Sequence, residues 1–158
     1  YELESCEKYI SNASSEAARV ITHRNAEMSL AADNEELITR LEPFSLLSVD
    51  LEELLGVGNG MSPGFFAQAY QRAGQDQQAL DSMIQFVDAI TGTVQKPNPI
   101  LFSPAVKIDG EHPAATKEMR ELLLKSLLDD GYYKQFHDNK RFMDAVDKLR
   151  GSIQEDTA

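Results

Sequence analysis

Apolar residues recur along most of this chain at spacings of three and four, the period of a helix that buries one side. The pattern is sharpest over residues 76–90, where Leu80, Met83, Ile84, Val87 and Ile90 share one face. Phe65, Phe66, Ala69 and Tyr70 form a similar series just upstream. Local punctuation agrees with both. Ser62 is placed to cap a first helix, and Pro63 follows at a position where its missing N–H would be unpaired anyway. Gly74 breaks the run, Asp76 can cap a second helix, and Gly92 stands where a left-handed C-terminal residue is wanted. Residues 62–92 are therefore predicted to form a helical hairpin with a very short turn.

Upstream the period is less regular. Leu3, Cys6, Tyr9, Ile10, Ala13, Ala17, Val20 and Ile21 predict one bent helix or two over residues 2–32, with a break near Ser14 and Ser15. Asp33 and Asn34 can cap the next helix at Glu35. Pro43 disfavours helical geometry at Glu42, so that helix is expected to end at Leu41. Phe44, Leu46, Leu47 and Val49 then read as an apolar connector packed into the core. Asp50 and Glu53 match a capping box opening another short helix, with Leu51, Leu54 and Leu55 inward. The glycine-rich stretch 56–60 follows a helix rather than a strand and has no Lys after it, so it reads as helix termination, not a phosphate cradle.

Residues 93–113 change character. Pro97, Pro99, Pro104 and Pro113 forbid a long helix. The alternatives are a small ribbon turning at Asp109–Gly110, or a long ordered loop pinned by Ile100 and Phe102. Loops of this length inside a compact domain tend to carry function. Residues 113–130 form the strongest single helix, its apolar face drawn from Met119, Leu122, Leu123, Leu127 and Leu128 and broadened by Leu124. Gly131 stops it, and Tyr132, Tyr133, Phe136 and His137 make an aromatic segment. Asn139 can then cap a last helix over Lys140–Arg150, closed by Gly151.

Within the hairpin, Tyr70, Gly74, Ala79 and Met83 stand at the core spacing of a tetratricopeptide repeat, with Phe66 and Ala67 at its upstream large and small positions. Residues 62–92 thus resemble one unit of that family, which implies two packed helices joined by a tight turn. Pro63 stands where the motif has an aromatic, Phe86 where it has a small residue, and Thr91 where it has the closing proline. No second copy precedes this unit, and a solenoid needs about three to bury its faces. The resemblance therefore implies a lone hairpin, not a repeat array.

Composition narrows the function classes. A length of 158 residues with 42% hydrophobic content suits one domain with a real core. The net charge of −11 argues against nucleic-acid binding and against docking to an anionic membrane surface. No run approaches the ~18 apolar residues of a membrane span, so no membrane insertion is expected. Tyr-Glu-Leu-Glu at the start has neither the basic region nor the apolar core of a secretion signal, and the lack of an initial Met fits a processed chain or an excised domain. The single cysteine, Cys6, leaves no intramolecular disulfide and leans towards the cytoplasm or another reducing compartment.

Candidate chemistry is sparse. His23, His112 and His137 are far apart and match no metal pattern. Cys6 lies beside Glu4 and Glu7, which disfavour a thiolate, and no Gly-x-Ser-x-Gly occurs. No catalytic, cofactor-binding or metal-ligating residue is assigned, and no cofactor is expected.

The sequence predicts an all-α, single-domain helical bundle of about six to eight helices. Its parts are residues 1–92 with the hairpin, the Pro-rich loop or ribbon, and helices over 114–153. The expected function is a non-enzymatic protein–protein interaction module (regulator, adaptor or inhibitor) presenting an acidic surface to a basic partner. Contact residues are expected at Asp50, Glu52 and Glu53, at Ile100, Phe102 and Val106 of the loop, and at Tyr132 and Tyr133. Two alternatives stay open: a ligand-binding or enzyme domain whose apolar cavity is closed by residues 97–113, and a structural piece of a larger assembly.

Overall fold

The computed structural model describes residues 35–56, 61–102, 113–129 and 131–155, together with Asn12 and Glu16. The readings of residues 2–32, of the glycine-rich stretch 57–60 and of a ribbon within 103–112 lie outside them. The described residues hold helices α1 (Glu35–Leu55), α2 (Ser62–Arg72), α3 (Asp76–Ile90), α4 (Lys117–Asp129) and α5 (Lys140–Glu155). A single 3₁₀ turn, Tyr133–Phe136, joins α4 to α5. The all-α class holds. The described residues carry five helices rather than six to eight.

Two expected elements merge into one, and the one or two helices expected over residues 2–32 lie outside the described residues. Helix α1 runs unbroken through Pro43, so there is neither a helix end at Leu41 nor a new start at Asp50. A proline inside a helix removes one ladder bond and crowds the carbonyl four residues back, at ~3 kcal/mol. Packing on α2 offsets this. Phe44 meets Phe66 edge-on with ring centroids 5.9 Å apart, and Ser48 and Leu55 are buried in the turns that follow. The Ser45 hydroxyl donates to the Glu42 carbonyl at 3.0 Å, just past the proline.

The Pro-rich segment finishes α1. Gly56 takes the left-handed conformation (φ 65°) and its N–H donates to the Glu52 carbonyl at 2.8 Å. Asn98 then caps the last two free carbonyls, its backbone N–H donating to Leu55 at 2.9 Å and its side-chain amide to Leu54 at 3.0 Å. The Lys96 carbonyl lies where a Cβ on Gly56 would sit. No strand forms among the described residues. Thr93 and Pro113 make one isolated antiparallel bridge beside an Ala114 N–H to Gly92 carbonyl bond of 2.9 Å.

The hairpin α2–α3 forms as the sequence predicts, but Asp76 is the first residue of α3 and not its cap; Gln75 precedes it without a side-chain capping bond. Gly74 (φ 69°) lets the Gln75 N–H reach the Tyr70 carbonyl at 2.9 Å while its own N–H reaches Gln71 at 3.1 Å, a Schellman closure. Tyr70, Ala79 and Met83 are buried. Gly92 does not take a left-handed conformation. Instead the Thr91 hydroxyl donates to the Val87 carbonyl at 2.7 Å.

Helix α3 forms the centre of the core. Leu80, Met83, Val87 and Ile90 pack with Leu127 of α4, Tyr133, and Phe142, Val146 and Leu149 of α5. Asn139 caps α5 as expected, accepting the Arg141 and Phe142 N–H groups at 2.9 and 3.3 Å. Gly151 does not end it. The last turn continues because Ile153 packs on the core and the Ser152 carbonyl accepts Arg120 Nη1 at 2.9 Å. Those contacts exceed the ~1 kcal/mol a mid-helix glycine costs. Arg120 shares its helical face with Leu123 and Leu127 and is buried, which turns Met119 and Leu122 outward at 46% and 69% exposure. These two were expected inside.

Candidate functional site

A continuous α1 distributes its side chains around one axis. Ser48, Glu52 and Leu55 face α2 and are buried. The opposite side carries Leu46, Leu47 and Leu54, which are 61%, 54% and 56% exposed, with the exposed carboxylate of Asp50 among them and those of Glu42 and Glu53 along one flank. Ile100 is 82% exposed and follows the Asn98 turn that caps this helix, its N–H bonded to Asn98 Oδ1 at 3.0 Å. It therefore stands at the Leu54 end of the strip. A leucine and carboxylate face results, and at its edge Leu46 and Asp50 border a small cavity of about 70 Å³ that reaches Pro63 and Phe66 of α2.

The expected contact residues divide. Asp50, Glu53 and Ile100 lie at the surface on or beside this strip. Glu52, Phe102 and Tyr133 are buried and hold the fold. Tyr133 stacks on Phe142 with centroids 6.1 Å apart. Tyr132 is half-buried, and its hydroxyl donates to Asp76 Oδ1 at 2.8 Å, tying the 3₁₀ turn to the start of α3. Burial, and then the Asp76 carboxylate, push the Tyr132 phenol far above its ordinary value, so it keeps its proton. Val106 lies outside the described residues. Leu46, Leu47 and Leu54 were not expected at the surface at all. The signal that reveals them is helical phase counted through Pro43.

Glu52 explains why α2 starts where it does. Met61, not Ser62, stands at the N-cap of α2, and it makes no capping bond with its side chain. The Ser62 N–H points instead at Glu52 Oε1 and Oε2, at 3.2 and 3.4 Å, and the Ser62 hydroxyl bonds the same carboxylate. A carboxylate at a helix N-terminus also meets the positive end of the helix dipole. Burial pushes the Glu52 carboxyl above its ordinary value, and the two Ser62 bonds pull it part of the way back. This is a structural cap supplied from another helix.

A second feature lies on the other side of α2. A cavity of about 400 Å³ opens between α2, α3 and α4. Phe65, Met83, Phe86, Leu123 and Tyr133 give it apolar walls, and Gln68, Gln71, Arg72 and Ser126 give it a polar rim. None of the described residues of 97–113 lines it.

Among the described residues no group of His, Cys, Asp or Glu is arranged to hold a metal ion. His137 is engaged elsewhere: Nε2 lies 3.2 Å from the Leu127 carbonyl and the ring stacks on Phe142. No described helix is long and apolar enough to cross a membrane. No family model matches the chain, and neither curated proteins nor solved structures give a match.

Proposed function

We propose that this protein is a protein–protein interaction module, a regulator, adaptor or inhibitor, that holds a basic amphipathic segment of a partner on the outward face of α1. The observation that carries the reading is the gathering of three exposed leucines, Leu46, Leu47 and Leu54, with Asp50 among them and Glu42 and Glu53 along one flank. Single exposed leucines are ordinary on protein surfaces. Several on one helix face, rimmed by charges of one sign, form a patch that favours a complementary partner. A segment alternating Lys or Arg with apolar residues covers the leucines and pairs with the carboxylates. The net charge of −11 speeds its approach at low salt.

The test begins with capture of partners by the full chain from its own cells, followed by affinity measurements on the purified pair. Reversing Asp50 and Glu53 together to Lys should weaken the complex about tenfold and flatten its salt dependence. Changing Leu47 and Leu54 to Ser should weaken it while leaving the salt slope in place. Affinity and salt slope both unchanged by the charge reversal would defeat the proposal.

A further inference from the structure

Aromatic rings in the core meet one another, as Phe44 meets Phe66 and Tyr133 stacks on Phe142. Two rings differ. Among the described residues neither Phe65 nor Phe86 has a ring partner, and both stand half-buried in the wall of the cavity between α2, α3 and α4. The buried Met83 and Tyr133 line the same space. Gly64 helps to shape it: a Cβ there would meet the Phe86 ring at 3.1 Å, so the absence of a side chain lets that ring lie close under α2. Gln68, Gln71 and Ser126 border the mouth with amides and a hydroxyl, which both donate and accept hydrogen bonds. Arg72 borders it too, but already has a partner of its own. The volume of about 400 Å³ falls within the ~300–1,000 Å³ usual for small-molecule sites, and ~150 Å³ suffices for benzene.

We infer that this cavity binds a flat, uncharged aromatic molecule of about two fused rings, with a hydroxyl or similar group turned to the glutamine rim. Each part follows from the lining. A planar ligand supplies the ring contact that Phe65 and Phe86 lack, and such contacts add to the gain from buried area alone. The Met83 thioether adapts to irregular shapes and favours the edge of a ring. A saturated ligand of the same size covers the same walls without a π face. At the rim, amides and a hydroxyl satisfy a neutral hydroxyl group. A charged group exchanges its hydration there for neutral partners, at greater cost. A carboxylate, in particular, has to compete for Arg72 with the partner that residue already holds. The site is independent of the α1 face. Phe66 and Tyr70 of α2 point to α1, through the Phe44 ring and the Ser45 hydroxyl, whereas Phe65 and Gln68 point to the cavity.

Three probes separate ring character from size and charge: 2-naphthol, its saturated counterpart decahydro-2-naphthol, and 2-naphthoate. Calorimetric titration of the full chain is the measurement. Naphthol should bind saturably at one per chain, about fivefold tighter than either of the others. Replacing Phe65 and Phe86 together by Leu keeps the apolar bulk and should bring naphthol down to the level of its saturated counterpart. Circular dichroism melting checks that this variant folds. Carbon-13 methyl spectra of the methionines locate the ligand in the unaltered chain. Ring currents should move the Met83 signal on addition of naphthol and leave that of Met119, which faces outward on α4. Absence of saturable binding, either comparison probe binding as tightly as naphthol, a Met83 signal that stays in place, or naphthol affinity untouched in the folded double variant would each overturn the inference. The Asp50 and Glu53 reversal should leave naphthol binding unchanged, so this site and the α1 face stand or fall separately.

Discussion

Glu52 shows how much one side chain's helical phase decides. In the sequence it sits with Asp50 and Glu53 as part of one acidic run, and nothing local separates the three. Counted along a continuous α1 it lies four residues after Ser48 and three before Leu55, on the buried side. There it serves the Ser62 N–H and hydroxyl. Glu52→Ala removes a buried acceptor that the Ser62 N–H and hydroxyl share, and should cost about 1–3 kcal/mol in urea unfolding. Glu52→Gln keeps an acceptor, costs less, and removes the titration. The sign of the pH effect follows from the raised folded-state value. Folding favours the protonated carboxyl, so its stabilising contribution is complete below the ordinary 4.5 and is lost as pH climbs through the folded value. The stability of the native protein relative to Glu52→Gln should therefore improve as pH falls from neutral towards 4.5. A flat difference across that range would show that this carboxyl is not desolvated.

Among the elements, α1 carries the main surprise, and its proline can be tested. Pro43 is exposed and the helix passes through it, so replacing it with alanine restores a ladder bond without disturbing the α2 contact. Alanine also gives back some freedom to the unfolded chain, worth about 0.4–1 kcal/mol against it. The helix term is larger, so Pro43→Ala should raise stability by about 1–2 kcal/mol, seen as a higher thermal midpoint. A lower midpoint would mean that the geometry around Pro43 is itself needed for packing. The contrast with the hairpin explains what a sequence can reveal. Gly74 and Asn139 act through bonds to residues within five positions, so the turn and the α5 cap were legible. Pro43 and Gly151 are overridden by contacts from distant segments, Phe66 in one case and Arg120 in the other, which no local pattern records. The α1 face went unread for the same reason, since a break at Pro43 sends Leu46, Leu47 and Leu54 inward.

At the scale of the whole molecule, charge sets opposing demands on folding and on binding. A net charge of −11 repels itself in the compact state, while exposed ion pairs such as Arg141–Asp81 at 2.8 Å and Lys148–Asp88 at 2.6 Å act in the other direction. Such pairs are each worth about 0–1 kcal/mol, small beside the mutual repulsion that a net charge of −11 brings. Raising sodium chloride from ~0.01 to ~0.15 M shortens the screening length from about 30 to 8 Å. Thermal stability should therefore rise over that interval, whereas a complex between the α1 face and a basic segment should weaken. A thermal midpoint that fell with salt would show that the local ion pairs dominate the global repulsion. Opposite salt signs for folding and for association then become a signature of the proposed interface. A partner held chiefly by apolar contact would produce the first effect without the second.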